Sequence, residues 1–215
     1  MKGARVVSVS RSGIDAAASE AAEALAAGGL VVMPTDTVYG LAASLQRPEA
    51  IRAIFDAKDR PAEMALPVLV ASTEDAQWLV PGELEAHEQL LERWWPGALT
   101  VIVASSPLVP SEVTAGGATV GLRQPDSTIA QAMLRAAGGT LAVTSANISG
   151  DPPACEVADL PDELLRHVAV VVDSGPCPGG AASTVLDLST DPPRLLREGP
   201  VKPAWLRRLL PDLVT

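Results

Sequence analysis

The 215-residue chain is short of aromatics, cysteine, histidine and lysine, and each shortage excludes a class of function. Aromatics are 3% of the chain, namely four tryptophans, Tyr39 and Phe55, which leaves no evident stacking platform for single-stranded nucleic acid. Cys155 and Cys177 form no C-x-x-C pair, and with His87 and His167 as the only histidines they cannot close a structural zinc site. A reduced, cytoplasmic setting is expected. Sixteen basic residues face 26 acidic ones, a net charge of −10 and the wrong sign for a broad nucleic-acid surface. Apolar runs such as 98–104 fall far short of the ~18 residues of a membrane span, so a soluble chain is expected. No apolar segment follows Lys2 and Arg5 to make a secretory signal. The common phosphate-loop, dinucleotide, nucleophile-elbow and H-E-x-x-H zinc motifs are all missing.

What is present is an alternation of strand and helix patterns without an internal repeat, in a length that suits one domain. Residues 4–9, 30–33, 65–71, 98–104, 118–122, 140–144, 168–172, 184–188 and 194–197 read as strands. Helices are expected at 15–27, ended by Gly28-Gly29, at 48–57 after Pro48, and at 83–94. Others are expected in a short segment capped by Thr73, from Ser127 to the Gly138-Gly139 stop, at 162–166, and after Pro203. The reading is an α/β domain spanning 1–215, with its core at about 15–200 and a short docking tail after 200.

Polar residues gather where strands end, the usual place for ligands in open α/β sheets. Pro34 to Leu41 (PTDTVYGL) sets Thr35, Asp36, Thr37 and Tyr39 directly after an apolar strand. Lys58 and Arg60 lie two apart before Pro61, which favours an extended backbone, so both can point at one anion. The same two cations also fit a solvated turn closing the preceding helix. Ser145 and Asn147 repeat the spacing in TSANISG, Arg123 ends a strand, and Ser183-Thr184 opens one strand while Arg197 closes the next.

Taken together, PTDTVYGL, KDRP (58–61), WPGALT (95–100), GLRQP (121–125), TSANISG (144–150), STVLD (183–187) and LREG (196–199) resemble, in order, the motifs of the YrdC-like family. The resemblance implies a twisted mixed parallel and antiparallel sheet with flanking helices around a deep cleft. It also implies threonylcarbamoyl-AMP synthase activity, a nucleotidyl transfer that joins L-threonine, bicarbonate or carbon dioxide, and ATP, with magnesium entering on the ATP. On that resemblance Lys58, Arg60, Thr119, Asn147, Cys155 and Arg197 would hold the nucleotide, Lys58 and Arg60 catalytically. Thr37, Tyr39, Arg123, Ser145 and Ser183 would bind threonine, Arg123 through its carboxylate. No protein metal site, membrane contact or stable complex with bare RNA is expected, and the product would pass to a tRNA threonylcarbamoyl transferase complex. The chain departs from the family pattern at Met64, at Ala65 where Pro is frequent, at Leu69 where His is frequent, and at Cys155 in place of Ser or Thr. The alternative reading is an RNA-binding or ribosome-assembly module of the same fold. The related carbamoyl-transfer domains of hydrogenase maturation proteins are usually embedded in much longer chains.

Overall fold

The computed structural model describes residues 3–215, so Lys2 lies outside the described residues. Ten strands make one mixed sheet in the order β1-β8-β2-β3-β7-β4-β6-β5-β9-β10. They are β1 (Arg5–Ser8), β2 (Leu30–Met33), β3 (Gly40–Ser44), β4 (Val68–Val70), β5 (Leu99–Ala104), β6 (Thr119–Arg123), β7 (Thr140–Ser145), β8 (Val168–Asp173), β9 (Thr184–Asp187) and β10 (Arg194–Arg197). Four pairs are parallel (β1/β8, β2/β8, β4/β6 and β5/β9) and the other five are antiparallel.

The helices are α1 (Val9–Ser12), α2 (Ile14–Ala26), α3 (Pro48–Lys58), α4 (Thr73–Leu79), α5 (Glu88–Trp94), α6 (Ser111–Thr114), α7 (Thr128–Ala136), α8 (Asp162–Leu165) and α9 (Pro203–Leu206). Among the described residues no helix is long and apolar enough to cross a membrane. Three local expectations change. Ser72, not Thr73, caps α4, its Oγ accepting from the Asp75 backbone N–H at 3.1 Å. The 83–94 segment starts late, as a 3-10 turn over Glu85–His87 followed by α5. Strand β3 follows PTDTVYGL although Gly-Leu-Ala-Ala-Ser carries little strand propensity, because burial on both faces decides it.

Strand alternation sends side chains to two cores. In β2, Leu30 and Val32 pack into the larger one and Val31 and Met33 into the smaller one. The larger core also takes Ile51, Ile54 and Phe55 of α3, whereas the smaller one is closed by α2 and α7. Leu99, Val101 and Val103 of β5, Val120 and Leu122 of β6 and Leu186 of β9 likewise enter the larger core. Thr100, Ile102, Gly121, Arg123 and Val185 therefore face the other way, where they line a cavity. The tail folds back, Thr184 Oγ1 donating to the Val201 carbonyl at 2.8 Å and Arg194 bridging Val214.

Candidate active site

The cavity holds about 290 Å³ on the open half of the sheet. Its rim is made by the 34–39 loop after β2, the segment after α3, the ends of β6 and β7, and the 174–183 loop before β9. These loops are packed closely enough to behave as one surface. A Cβ on Gly179 would lie 2.5 Å from the Asp36 carbonyl, so only glycine lets the 174–183 loop lie against Asp36-Thr37. Thr35 holds its own loop from inside, its Oγ1 donating to the Val38 carbonyl at 2.6 Å and accepting from the backbone N–H groups of Thr37 and Val38.

The cavity is built in part on Arg123, which is almost fully buried. Its Nη2 donates to Asp36 Oδ1 at 2.6 Å, Nη1 to Thr37 Oγ1 at 2.8 Å and Nε to the Gly97 carbonyl at 2.9 Å. Three of the guanidinium's five N–H donors are thus committed, leaving two for a ligand. Burial lowers the pKa of Arg123 while Asp36 pulls the other way and keeps the cation favourable.

The cavity also carries Arg60 and Arg197, and among the described residues neither has a carboxylate partner. Arg60 Nη2 donates to the Ala65 carbonyl at 3.0 Å, and Arg197 Nε to the Ser183 carbonyl at 2.9 Å. Partial burial lowers both pKa values, with no carboxylate beside either to offset it, although Arg60 is only half-buried and Arg197 is open to solvent. The lining also carries hydroxyls. Ser183 Oγ lies 2.8 Å from Thr100 Oγ1 and 3.3 Å from Arg197 Nη2, with Ser145 and Thr144 on the opposite wall.

Of the sequence candidates, Thr37, Arg60, Arg123, Ser145, Ser183 and Arg197 line this cavity together. The rest lie off its walls. Lys58 is 2% exposed and is not among the lining residues, its Nζ donating to the Ser145 and Asn147 carbonyls, both at 2.5 Å, and to Asn147 Oδ1 at 3.2 Å. Burial first, and then the neighbouring Arg60 charge, lower its pKa to about 8. Asp59, which caps α3, adopts the left-handed conformation (φ 51°), so the backbone between Lys58 and Arg60 is not extended as the spacing argument requires. Asn147 also donates to the Ile148 and Asp151 carbonyls, at 2.8 and 2.7 Å. The ring of Tyr39 is part of the larger core and its hydroxyl donates to the Gly175 carbonyl at 2.7 Å, so it stabilises the rim without forming the wall. Burial pushes its pKa up to about 12. Thr119 alternates with Gly121 on the cavity face of β6 but lies beyond the lining, and half-buried Cys155 also lies outside it. Residues to which the sequence assigned no binding role are Asp36, which holds Arg123, Thr100, which holds Ser183, and Leu69, noted only as a departure, which supplies apolar wall. Asp36 and Thr100 stood inside the quoted motifs, but only the pairing of distant strands shows what each one touches.

The Sua5/YciO/YrdC family, described as telomere recombination, matches residues 23–199. A Mycobacterium tuberculosis protein is 40% identical over 187 residues, 87% of this chain and 86% of that protein. The threonylcarbamoyl-AMP synthase of Bacillus subtilis is 38% identical over 182 residues, 84% of this chain but 53% of its own length. Among solved structures, Pyrococcus abyssi Sua5 complexed with L-threonine superposes with a TM-score of 0.87 at 34% identity, covering 92% of this chain and 58% of that one. With a match over most of its length and the same mixed sheet around its cavity, the chain belongs to the Sua5/YciO/YrdC family.

Proposed function

We propose that the chain is a threonylcarbamoyl-AMP synthase, joining L-threonine, bicarbonate and ATP to give threonylcarbamoyl-AMP, pyrophosphate and water. The observation that carries this reading is a single cavity lined by three arginines, one paired with a carboxylate and two not. Arg60 and Arg197 offer unpaired cations to a polyphosphate, while Arg123 with Thr37, Ser145 and Ser183 offers donors and hydroxyls to a small polar amino acid. Family relatives named threonylcarbamoyl-AMP synthase, and a relative's structure complexed with L-threonine, support it.

The chemistry asks for little acid or base catalysis. Threonine's amine captures carbon dioxide to give a carbamate, and a carbamate oxygen attacks the α-phosphorus while pyrophosphate leaves. Positioning and stabilisation of the charge on the departing pyrophosphate are the main needs, and fixed guanidinium donors serve both. Arg60 and Arg197 take that role here. Lys58 holds the 145–147 backbone, so that Ser145 is presented to the cavity, and on the resemblance it is assigned with Arg60 to the nucleotide phosphates and their transfer. Thr119, Asn147 and Cys155 are assigned to the nucleotide side, and Tyr39 to the threonine side, on the resemblance alone. Magnesium enters bound to ATP, where phosphate oxygens and water supply most of its ligands. The product would be consumed in a cytoplasmic tRNA threonylcarbamoyl transfer.

The test is pyrophosphate release from ATP and bicarbonate with single amino acids. Threonine is expected to support turnover and valine to be strongly rejected, since a site that hydrogen-bonds a hydroxyl leaves its own polar groups unpaired when the hydroxyl is missing. Equal release with both amino acids overturns the assignment.

A further inference from the structure

Thr100 interrupts a run of apolar residues in the middle of the sheet. Leu99 and Val101 on either side face the larger core, Ile102 shares the cavity face with Thr100, and valine would fill this position without carrying a polar atom into the protein. A buried hydroxyl without a partner costs stability, so its partner shows what it is for. That partner is Ser183, with the two oxygens 2.8 Å apart, and no other side-chain hydrogen bond of Thr100 is present among the described residues.

The proton inventory of the pair is closed on three sides. Arg197 Nη2 can only donate, so Ser183 Oγ accepts from it at 3.3 Å. One hydroxyl proton lies between Thr100 and Ser183. Either oxygen can donate in that bond; with Thr100 as the donor, the Ser183 proton has no protein acceptor among the described residues, and both residues line the cavity. The two hydroxyls and the guanidinium therefore present one spare O–H donor, held at a fixed place in the cavity lining.

We propose that Thr100 is a positioning residue for the amino-acid substrate: it fixes Ser183 Oγ so that this spare proton meets an oxygen of threonine. The proposal rests on the synthase reading above for the identity of the ligand. Its geometry, however, predicts an effect on threonine binding that can be read without turnover.

The experiment compares Thr100→Val with Thr100→Ser, using L-threonine binding by calorimetry without ATP and steady-state pyrophosphate release. The valine variant should weaken threonine binding and raise its KM about tenfold, in keeping with the loss of one hydrogen bond at a buried site. KM for ATP and kcat should stay within about twofold, and the serine variant should return threonine affinity to within about twofold of the parent. In a Ser183→Ala background, Thr100→Val should add nothing further, because the group that it positions is gone. Should the valine variant fold poorly, Thr100→Ala serves in the same comparison. Unchanged threonine affinity in the valine variant overturns the proposal, as does a serine variant as weak as the valine one or an additive loss in the Ser183→Ala background. If the parent binds threonine yet releases no pyrophosphate, the synthase reading fails while the binding series still judges Thr100. A parent that binds no threonine overturns both.

Discussion

The cavity uses the same side chain in two electrostatically different ways, Arg123 with a carboxylate beside it and Arg60 and Arg197 without one. Arg123 is closed in by Asp36, Thr37 and Gly97, whereas Arg60 and Arg197 are held only by carbonyls and, for Arg197, the Ser183 hydroxyl. Burial disfavours all three charges, and a carboxylate offsets it at one of them. A compensated cation can orient a ligand without demanding a full counter-charge, while two uncompensated ones call for an anion. The difference separates a structural arginine that also binds from binding arginines that contribute little to the fold.

The largest effect should come from breaking the compensated pair. Removing one partner of a buried pair leaves the other charge stranded, which costs about 3–5 kcal/mol. Asp36→Ala should lower unfolding stability by that order in denaturant titrations, and Asp36→Asn, which keeps an oxygen for Arg123, by less. If Asp36→Ala is as stable as the parent, the arginines do not differ in the way described.

At the uncompensated arginines the cost should fall on catalysis instead. Arg60→Ala and Arg197→Ala each remove a fixed donor for the departing pyrophosphate, so turnover should drop on the order of 100-fold or more. Thermal unfolding of both should stay close to the parent, since what each side chain gives up are hydrogen bonds to carbonyls or a hydroxyl near the surface. A variant that melts early but turns over normally reverses the roles assigned to the two kinds of arginine.

Much of this arrangement is legible in the sequence, for identifiable reasons. Strands with continuous apolar runs, such as Leu30–Met33, and caps such as Ser127 report on local chemistry, and local chemistry is what a sequence displays. Strand β3 is hidden because Gly40, Ala42 and Ala43 are chosen for closeness and not for strand propensity: a Cβ on Gly40 would come within 2.6 Å of Val143 Cγ1. The cavity residues Thr37, Arg60, Arg123, Ser145, Ser183 and Arg197 are legible as polar groups at strand ends. Their partners are not. Asp36 meets Arg123 across 87 residues and Thr100 meets Ser183 across 83, pairings fixed by sheet order alone. Lys58 is legible in part: spacing two beside Arg60 suggests a shared target, but left-handed Asp59 breaks the extended backbone between them, and Lys58 Nζ clamps the Ser145 and Asn147 carbonyls, partners that the sequence does not show.

That clamp yields a smaller, pH-dependent effect. Lys58 has its pKa lowered to about 8 from an ordinary 10.5, chiefly by burial. Between those two values the unfolded chain holds a proton that the folded chain has released, so the Lys58 contribution to stability rises with pH across this window and is level below it. The measurement is the stability difference between the parent and Lys58→Met from pH 7 to 10.5, which cancels groups common to both, Tyr39 included. The difference should shift in favour of the parent above pH 8, by roughly 1–3 kcal/mol at the top of the range. A flat difference would show the ammonium to be as well stabilised by its carbonyls as by water.

The smallest effect is expected from salt, and it bears on whether Arg60 and Arg197 form a pocket or part of a surface. A protein of net charge −10 can hold a triphosphate between Arg60 and Arg197, because a small anion meets only the local field. A duplex must also lay its other phosphates against acidic surface. Each phosphate neutralised releases counterions, so a true RNA binder loses affinity steeply with salt, whereas a ligand that meets two guanidinium groups neutralises few phosphates and loses little. ATP binding of micromolar order, about −8 kcal/mol, should therefore weaken less than roughly tenfold between 50 and 200 mM salt. Bare duplex RNA should form no stable complex near physiological salt. Arg197→Ala should abolish most of the ATP signal and leave any weak RNA signal as it was. Tight RNA binding with a steep salt slope that survives both excess ATP and the Arg197 substitution would place the working surface outside the cavity and favour the RNA-binding module over the synthase.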